Sequence, residues 1–84
     1  MSVSMKVYEF DDETFVLLDE GKENNLLHRT CMVIKVANDE TQSFEYQVHK
    51  KTYQDTGIKA SSKEEACRKA YNFLVEEWAN SDPD

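Results

Sequence analysis

The sequence predicts an α+β fold: an antiparallel sheet of about four strands followed by one C-terminal helix packed on one face. Three observations carry that expectation. Over the first two thirds of the chain, apolar residues alternate with polar ones in short runs, which is the period of a pleated strand. The runs are separated by segments rich in Asp, Asn and Gly, which suit turns. From about residue 62 the apolar spacing switches to that of a helix.

Val3, Met5 and Val7 alternate with Ser4, Lys6 and Tyr8, giving a first strand near residues 3–10. Asp11-Asp12-Glu13 interrupts it with residues that favour turns, and Thr14-Phe15-Val16-Leu17-Leu18 then reads as a second strand. The short connection makes these two strands antiparallel neighbours. Residues 19–25, with one of the two glycines, form a polar loop. Residues 28–37 carry Thr30, Met32, Ile34 and Val36 on one face and Cys31, Val33, Lys35 and Ala37 on the other. Apolar character on both faces places that strand centrally in the sheet. Asn38 to Gln42 make a turn, and Phe44, Tyr46 and Val48 alternate with Glu45, Gln47 and His49 in a fourth strand. This strand is expected to run to about Tyr53, with Asp55-Thr56-Gly57 as its break.

Ser62, with Glu65 three residues later, fits a capping box, and Glu64 and Glu65 suit the positive end of a helix dipole. Cys67, Ala70, Tyr71, Leu74 and Trp78, flanked by Ala66 and Phe73, make the apolar stripe that meets the sheet. The chain thus reads as one small domain over 1–84, ordered from about 3 to 79, with 80–84 a frayed acidic tail.

Eighty-four residues hold one core. A domain of this size hides only about 60–65% of the surface its open chain exposes, so dimerisation is a common remedy. A homodimer through an edge strand or the helix is therefore expected. The start of the chain lacks the apolar run of a signal peptide, and no stretch is long and apolar enough to span a bilayer. The expectation is a soluble, cytoplasmic protein with no membrane partner. Cys31 and Cys67 are too few for a secreted disulfide scaffold and read as reduced, buried thiols.

Charge is the strongest functional signal. Seventeen acids against ten bases give a net charge of −7. The excess is uneven: net −5 over residues 1–27, +2 over 28–63 and −4 over 64–84. Such a balance disfavours direct binding to DNA, RNA or an anionic membrane and favours a cationic protein partner. Chemistry-bearing motifs are missing. Neither Asp11-Asp12-Glu13 nor Asp19-Glu20-Gly21 matches a calcium loop, and His28, Cys31, His49 and Cys67 lack the paired spacing of a zinc site. No nucleophile-elbow serine and no glycine-rich phosphate loop is present. The expectation is a non-enzyme without cofactor or metal. His49-Lys50-Lys51-Thr52-Tyr53 is the one basic segment with an aromatic neighbour, and its two lysines offer little phosphate neutralisation.

Two resemblances bear on function. The order of three strands and a helix over residues 28–78, with the run Gly57-Ile58-Lys59-Ala60-Ser61-Ser62-Lys63-Glu64-Glu65-Ala66, resembles the double-stranded RNA-binding domain. That family grips phosphates with a lysine cluster at its helix start; here Glu64 and Glu65 stand among Lys63, Arg68 and Lys69, and the family's first helix has no counterpart. In size, acidity and lack of catalytic motifs, the chain also resembles the small phage-encoded DNA mimics. Those proteins block histone-like, restriction, repair or CRISPR-type proteins of the host. The resemblance implies that Asp11, Asp12, Glu13, Asp19, Glu20 and Glu23, with Glu76 and Glu77 on the helix, form the partner-binding surface of an inhibitor of a basic nucleic-acid-binding protein. The alternatives are a neutral adaptor that binds a protein through an exposed strand edge or through Tyr8, Phe10 and Trp78, and a degenerate double-stranded-RNA-binding-like domain.

Overall fold

The computed structural model describes residues 3–19 and 29–81. It contains five strands and one helix: β1 (Ser4–Phe10), β2 (Glu13–Asp19), β3 (Thr30–Asn38), β4 (Ser43–Lys50), β5 (Asp55–Ala60) and α1 (Lys63–Ser81). The strands form a single antiparallel meander in the order β1-β2-β3-β4-β5, with β3 at the centre. The expected α+β class, antiparallel sheet and C-terminal helix are all present.

Local chemistry explains each turn. Phe10 pairs with Glu13, so Asp11 and Asp12 alone connect β1 to β2, at φ of 50° and 65°. Two successive positive φ angles define the tight hairpin turn whose twist matches the flanking strands, and aspartate tolerates that backbone better than most residues. Between β3 and β4, the Glu40 N–H donates to Asn38 Oδ1 at 3.2 Å, and Gln42 takes the positive φ of 53° that closes the turn.

The fifth strand departs from the sequence expectation. Chain reversal comes earlier, over residues 51–54, where the Tyr53 N–H donates to the Lys50 carbonyl and the Lys50 N–H to the Gln54 carbonyl, both at 2.8 Å. Asp55-Thr56-Gly57 then pairs instead of breaking, because side chains replace irregular ladder bonds. The Thr56 hydroxyl donates to the Val48 carbonyl at 2.7 Å, and Asp55 Oδ1 accepts the Gly57 N–H at 2.8 Å. The register shifts at Val48/His49, and Gly57 sits at φ 84°, a backbone that suits glycine.

Helix α1 starts where Ser62 Oγ accepts the Glu65 N–H at 3.2 Å. Glu65 does not close the reciprocal half of the box. Its carboxylate instead accepts from the Ser61 hydroxyl at 3.4 Å and pairs with Lys69 at 3.1 Å. Ala66, Cys67, Ala70 and Leu74 of the helix pack on Val16, Leu18, Cys31, Val33, Val48 and Ala60 of the sheet, with Tyr71, Phe73 and Trp78 at the margins. Cys31 and Cys67 are free thiols inside this core. The opposite sheet face is also partly apolar. Leu17 and Met32 are buried there, and Met32 lies between Phe15 and His49 in the register. The helix lies over β2 to β5, and all seven residues of β1 are exposed.

Candidate functional site

Meander parity decides which side chains share an end of the molecule. In an antiparallel sheet every second turn lies at the same end, so the β1–β2 turn, the β3–β4 turn and the β5–α1 junction fall together. The helix, about 28 Å long at about 1.5 Å per residue, then runs to the other end beside the β4–β5 turn. Two ion pairs mark the ends. Lys63 at the helix start pairs with Glu9 of β1, and Glu77 near the helix finish approaches Lys50 at 4.0 Å.

The first end is acidic. It carries Asp11 and Asp12 in one turn, Glu13 opening β2, Asp39 and Glu40 in the other turn, and Glu64 in the first turn of α1. All six residues are exposed. Ion pairing sets them apart from the remaining acids. Among the described residues, six carboxylates lie within 4.0 Å of a lysine or histidine: Glu9, Asp19, Glu45, Asp55, Glu65 and Glu77. Asp11, Asp12, Glu13, Asp39, Glu40, Glu64 and Glu76 have no such partner among the described residues, and all but Glu76 lie at the acidic end. Unneutralised charge therefore lies at one end of the sheet, on two turns and a helix start, with the β3–β4 turn reaching about four residues, or about 13 Å, beyond the β1–β2 turn in the register.

The partner-binding residues expected from sequence divide between the two ends. Asp11, Asp12 and Glu13 come together at the acidic end. Asp19 lies at the far end of β2 and pairs with Lys6 at 3.0 Å, which raises the lysine's pKa through a hydrogen bond and Coulombic attraction. Glu76 and Glu77 are near the end of α1 and, with Arg29, Phe73 and Asn80, line a cleft of about 540 Å³. Glu20 and Glu23 lie outside the described residues. Asp39, Glu40 and Glu64 were not among the residues expected from sequence. Strand parity was the signal that could have found Asp39 and Glu40, since a meander returns turns 11–12 and 39–42 to one end; Glu64 joins them because β5 adds one more reversal before α1.

Catalytic arrangements fare differently. The register pairs Cys31 with Lys50 on the helix face and Met32 with His49 on the other, so a Cys31–His49 couple is split by the sheet. Burial pushes the Cys31 thiol up to about 12 and raises that of Cys67 as well, which keeps both protonated and poorly nucleophilic. His49 is held in a polar row on the helix-free face. Its Nε2–H donates to Gln47 Oε1 at 3.0 Å, Gln47 Nε2 donates to Glu45 at 3.1 Å, and Lys59 approaches Glu45 at 3.8 Å. Among the described residues no group of three or more His, Cys, Asp or Glu side chains could hold a metal ion. His28 lies outside the described residues.

Three of the bases that duplex-RNA binding would use are engaged. Lys63 pairs with Glu9, Lys69 binds Glu65 and donates to the Lys59 carbonyl at 3.0 Å, and Lys50 stands near Glu77 and 6.0 Å from the Phe73 ring centre. Among the described residues no helix is long and apolar enough to cross a membrane. Comparison with protein-family models, curated proteins and solved structures finds no match to this chain.

Proposed function

We propose that this protein is a non-enzymatic interaction module whose acidic end binds a basic nucleic-acid-binding protein and competes with nucleic acid for it. One observation carries the reading: Asp11, Asp12, Glu13, Asp39, Glu40 and Glu64 are gathered at one end without ion-pair partners among the described residues. Duplex DNA offers about one charge per 1.7 Å of axis, and proteins that bind it are shaped to such arrays. Six carboxylates staggered over two short turns and a helix start can present an elongated anionic end to a basic groove. Steering by opposite charge speeds the encounter, and that benefit shrinks with salt.

The test uses two variants. In the first, Asp11→Asn, Asp12→Asn, Glu13→Gln, Asp39→Asn, Glu40→Gln and Glu64→Gln are combined; asparagine keeps the left-handed backbone of the tight turn accessible. In the second, Glu45→Gln and Glu77→Gln remove charge from acids that already have partners. The immobilised wild-type protein should retain DNA-binding proteins from bacterial lysate and release them near 0.5 M salt, where the screening length is about 4–5 Å. The released protein should lose binding to labelled duplex DNA, measured by fluorescence anisotropy, when the wild-type chain is added. The six-site variant should fail in both assays and the two-site variant should not. Retention that ignores both salt and the six neutralisations would refute the proposal.

A further inference from the structure

From the exposed edge of the sheet we infer that β1 pairs with β1 of a second copy of this chain, antiparallel and centred on Val7, to give a continuous ten-stranded sheet. Strand β1 pairs with β2 along all seven residues without a bulge, and it contains no proline. An edge of that length and regularity presents unpaired N–H and C=O groups that can template another strand. The opposite edge, β5, is blunted by the register shift and by Gly57 at φ 84°. Both faces of β1 are apolar and open: Met5 is 44% and Val7 42% exposed on the helix side, Tyr8 46% and Phe10 70% on the other.

Three features select a second copy as the occupant. The first is hydrogen-bond parity. Phe10 and Glu13 close a two-residue turn, so Phe10, Tyr8, Lys6 and Ser4 direct their backbone groups toward β2. Met5, Val7 and Glu9 therefore direct theirs outward. An axis at Val7 sets the outward-facing Met5, Val7 and Glu9 against the outward-facing Glu9, Val7 and Met5 of the second copy, and it is the register that overlaps the whole of Ser4–Phe10 with itself. The second is charge. In this register Lys6 faces the second copy's Tyr8, Glu9 faces its Met5, and Val7 faces Val7, so no like charges stand opposite. The third concerns the net charge of −7 carried by each copy. Antiparallel pairing sends the two Asp11-Asp12 turns to opposite ends of the joint, which separates the acidic ends. Val7, left uncovered by α1, would meet its counterpart between the two helices, with each Met5 beside the other copy's Glu9.

This inference does not depend on the partner-binding role of the acidic end, and its test leaves the six acids untouched. Sedimentation equilibrium should give the wild-type chain close to twice its 9.8 kDa mass at about 100 µM, which corresponds to a dissociation constant of about 1 µM or tighter. Val7→Lys and Val7→Glu each place like charges opposite one another across the axis, and each should raise the dissociation constant at least about tenfold. Mixed in equal amounts, the two variants should return to the doubled mass, since the axis then joins lysine to glutamate. The mixing arm also shows that both variants are folded. A monomeric wild-type chain at the stated concentration would overturn the inference and leave the edge to a strand from a different protein. Variants that dimerise like the wild type, or a mixture that stays monomeric, would overturn it as well.

Discussion

Replacing Leu74 by alanine tests whether the contact between helix and sheet carries the stability of this domain. Leu74 is 2% exposed and sits on the sheet-facing stripe of α1 with Ala66, Cys67 and Ala70. Its neighbours in the stripe are small, so it supplies the largest fully buried side chain that the helix brings to the core. The substitution removes three carbons, a transfer loss of about 2.4 kcal/mol at about 0.8 kcal/mol each. Incomplete collapse of the cavity takes the total to about 3–5 kcal/mol. A chain of 84 residues holds about 4–13 kcal/mol in all, so the loss is a large share of the whole. In a thermal melt followed by circular dichroism, a loss of about 3 kcal/mol should lower the midpoint by about 12–24 °C. Asn72→Ala, at an exposed position of the same helix, is the control and should change stability by less than about 0.7 kcal/mol, and favourably, because alanine is the better helix former. Both variants are compared at one protein concentration, because association would shift the midpoint. A Leu74→Ala loss below about 1 kcal/mol, or one no larger than the control, would refute the packing argument.

Two further outcomes follow from the geometry. Ser62→Ala removes the acceptor of the Glu65 N–H and should cost about 0.5–2 kcal/mol in urea unfolding, whereas Ser62→Asp should retain most of that stability; equal losses in both would refute the cap. The Cys31 thiol, held at about 12 by burial, ionises near 8.5 once unfolded. Its contribution is therefore whole below about pH 8.5 and is lost as pH rises toward 12, with a slope of up to about 1.4 kcal/mol per pH unit. Cys31→Ala should flatten that alkaline slope, and an unchanged slope in pH-dependent urea melts would refute the assignment.

Much of the fold was legible because the signals are local. Alternation of side chains across a pleat marked β1 to β4, and paired aspartates marked the first turn. The serine cap with its helical apolar spacing marked α1. The strand β5 was harder to read, since Asp55, Thr56 and Gly57 have turn chemistry. They became strand through bonds to Val48 and to one another, and those bonds exist only once β4 is alongside. The candidate site was half legible. Asp11, Asp12 and Glu13 are adjacent in the chain, but nothing near them in sequence announces Asp39, Glu40 or Glu64.

What the order of residues dictated was the list of elements, the identity of the buried stripe on the helix and the central place of β3, because periodicity and turn preference act over a few neighbouring positions. What assembly decided was the placement of charge and of open surface. Strand direction alternates along the meander, and that alternation brings acids far apart in the chain to one end while ion pairs neutralise others. Width sets the rest. Five strands about 4.8 Å apart span about 19 Å, whereas a helix is about 10–12 Å across with its side chains. One helix centred over β2 to β5 therefore leaves β1 uncovered.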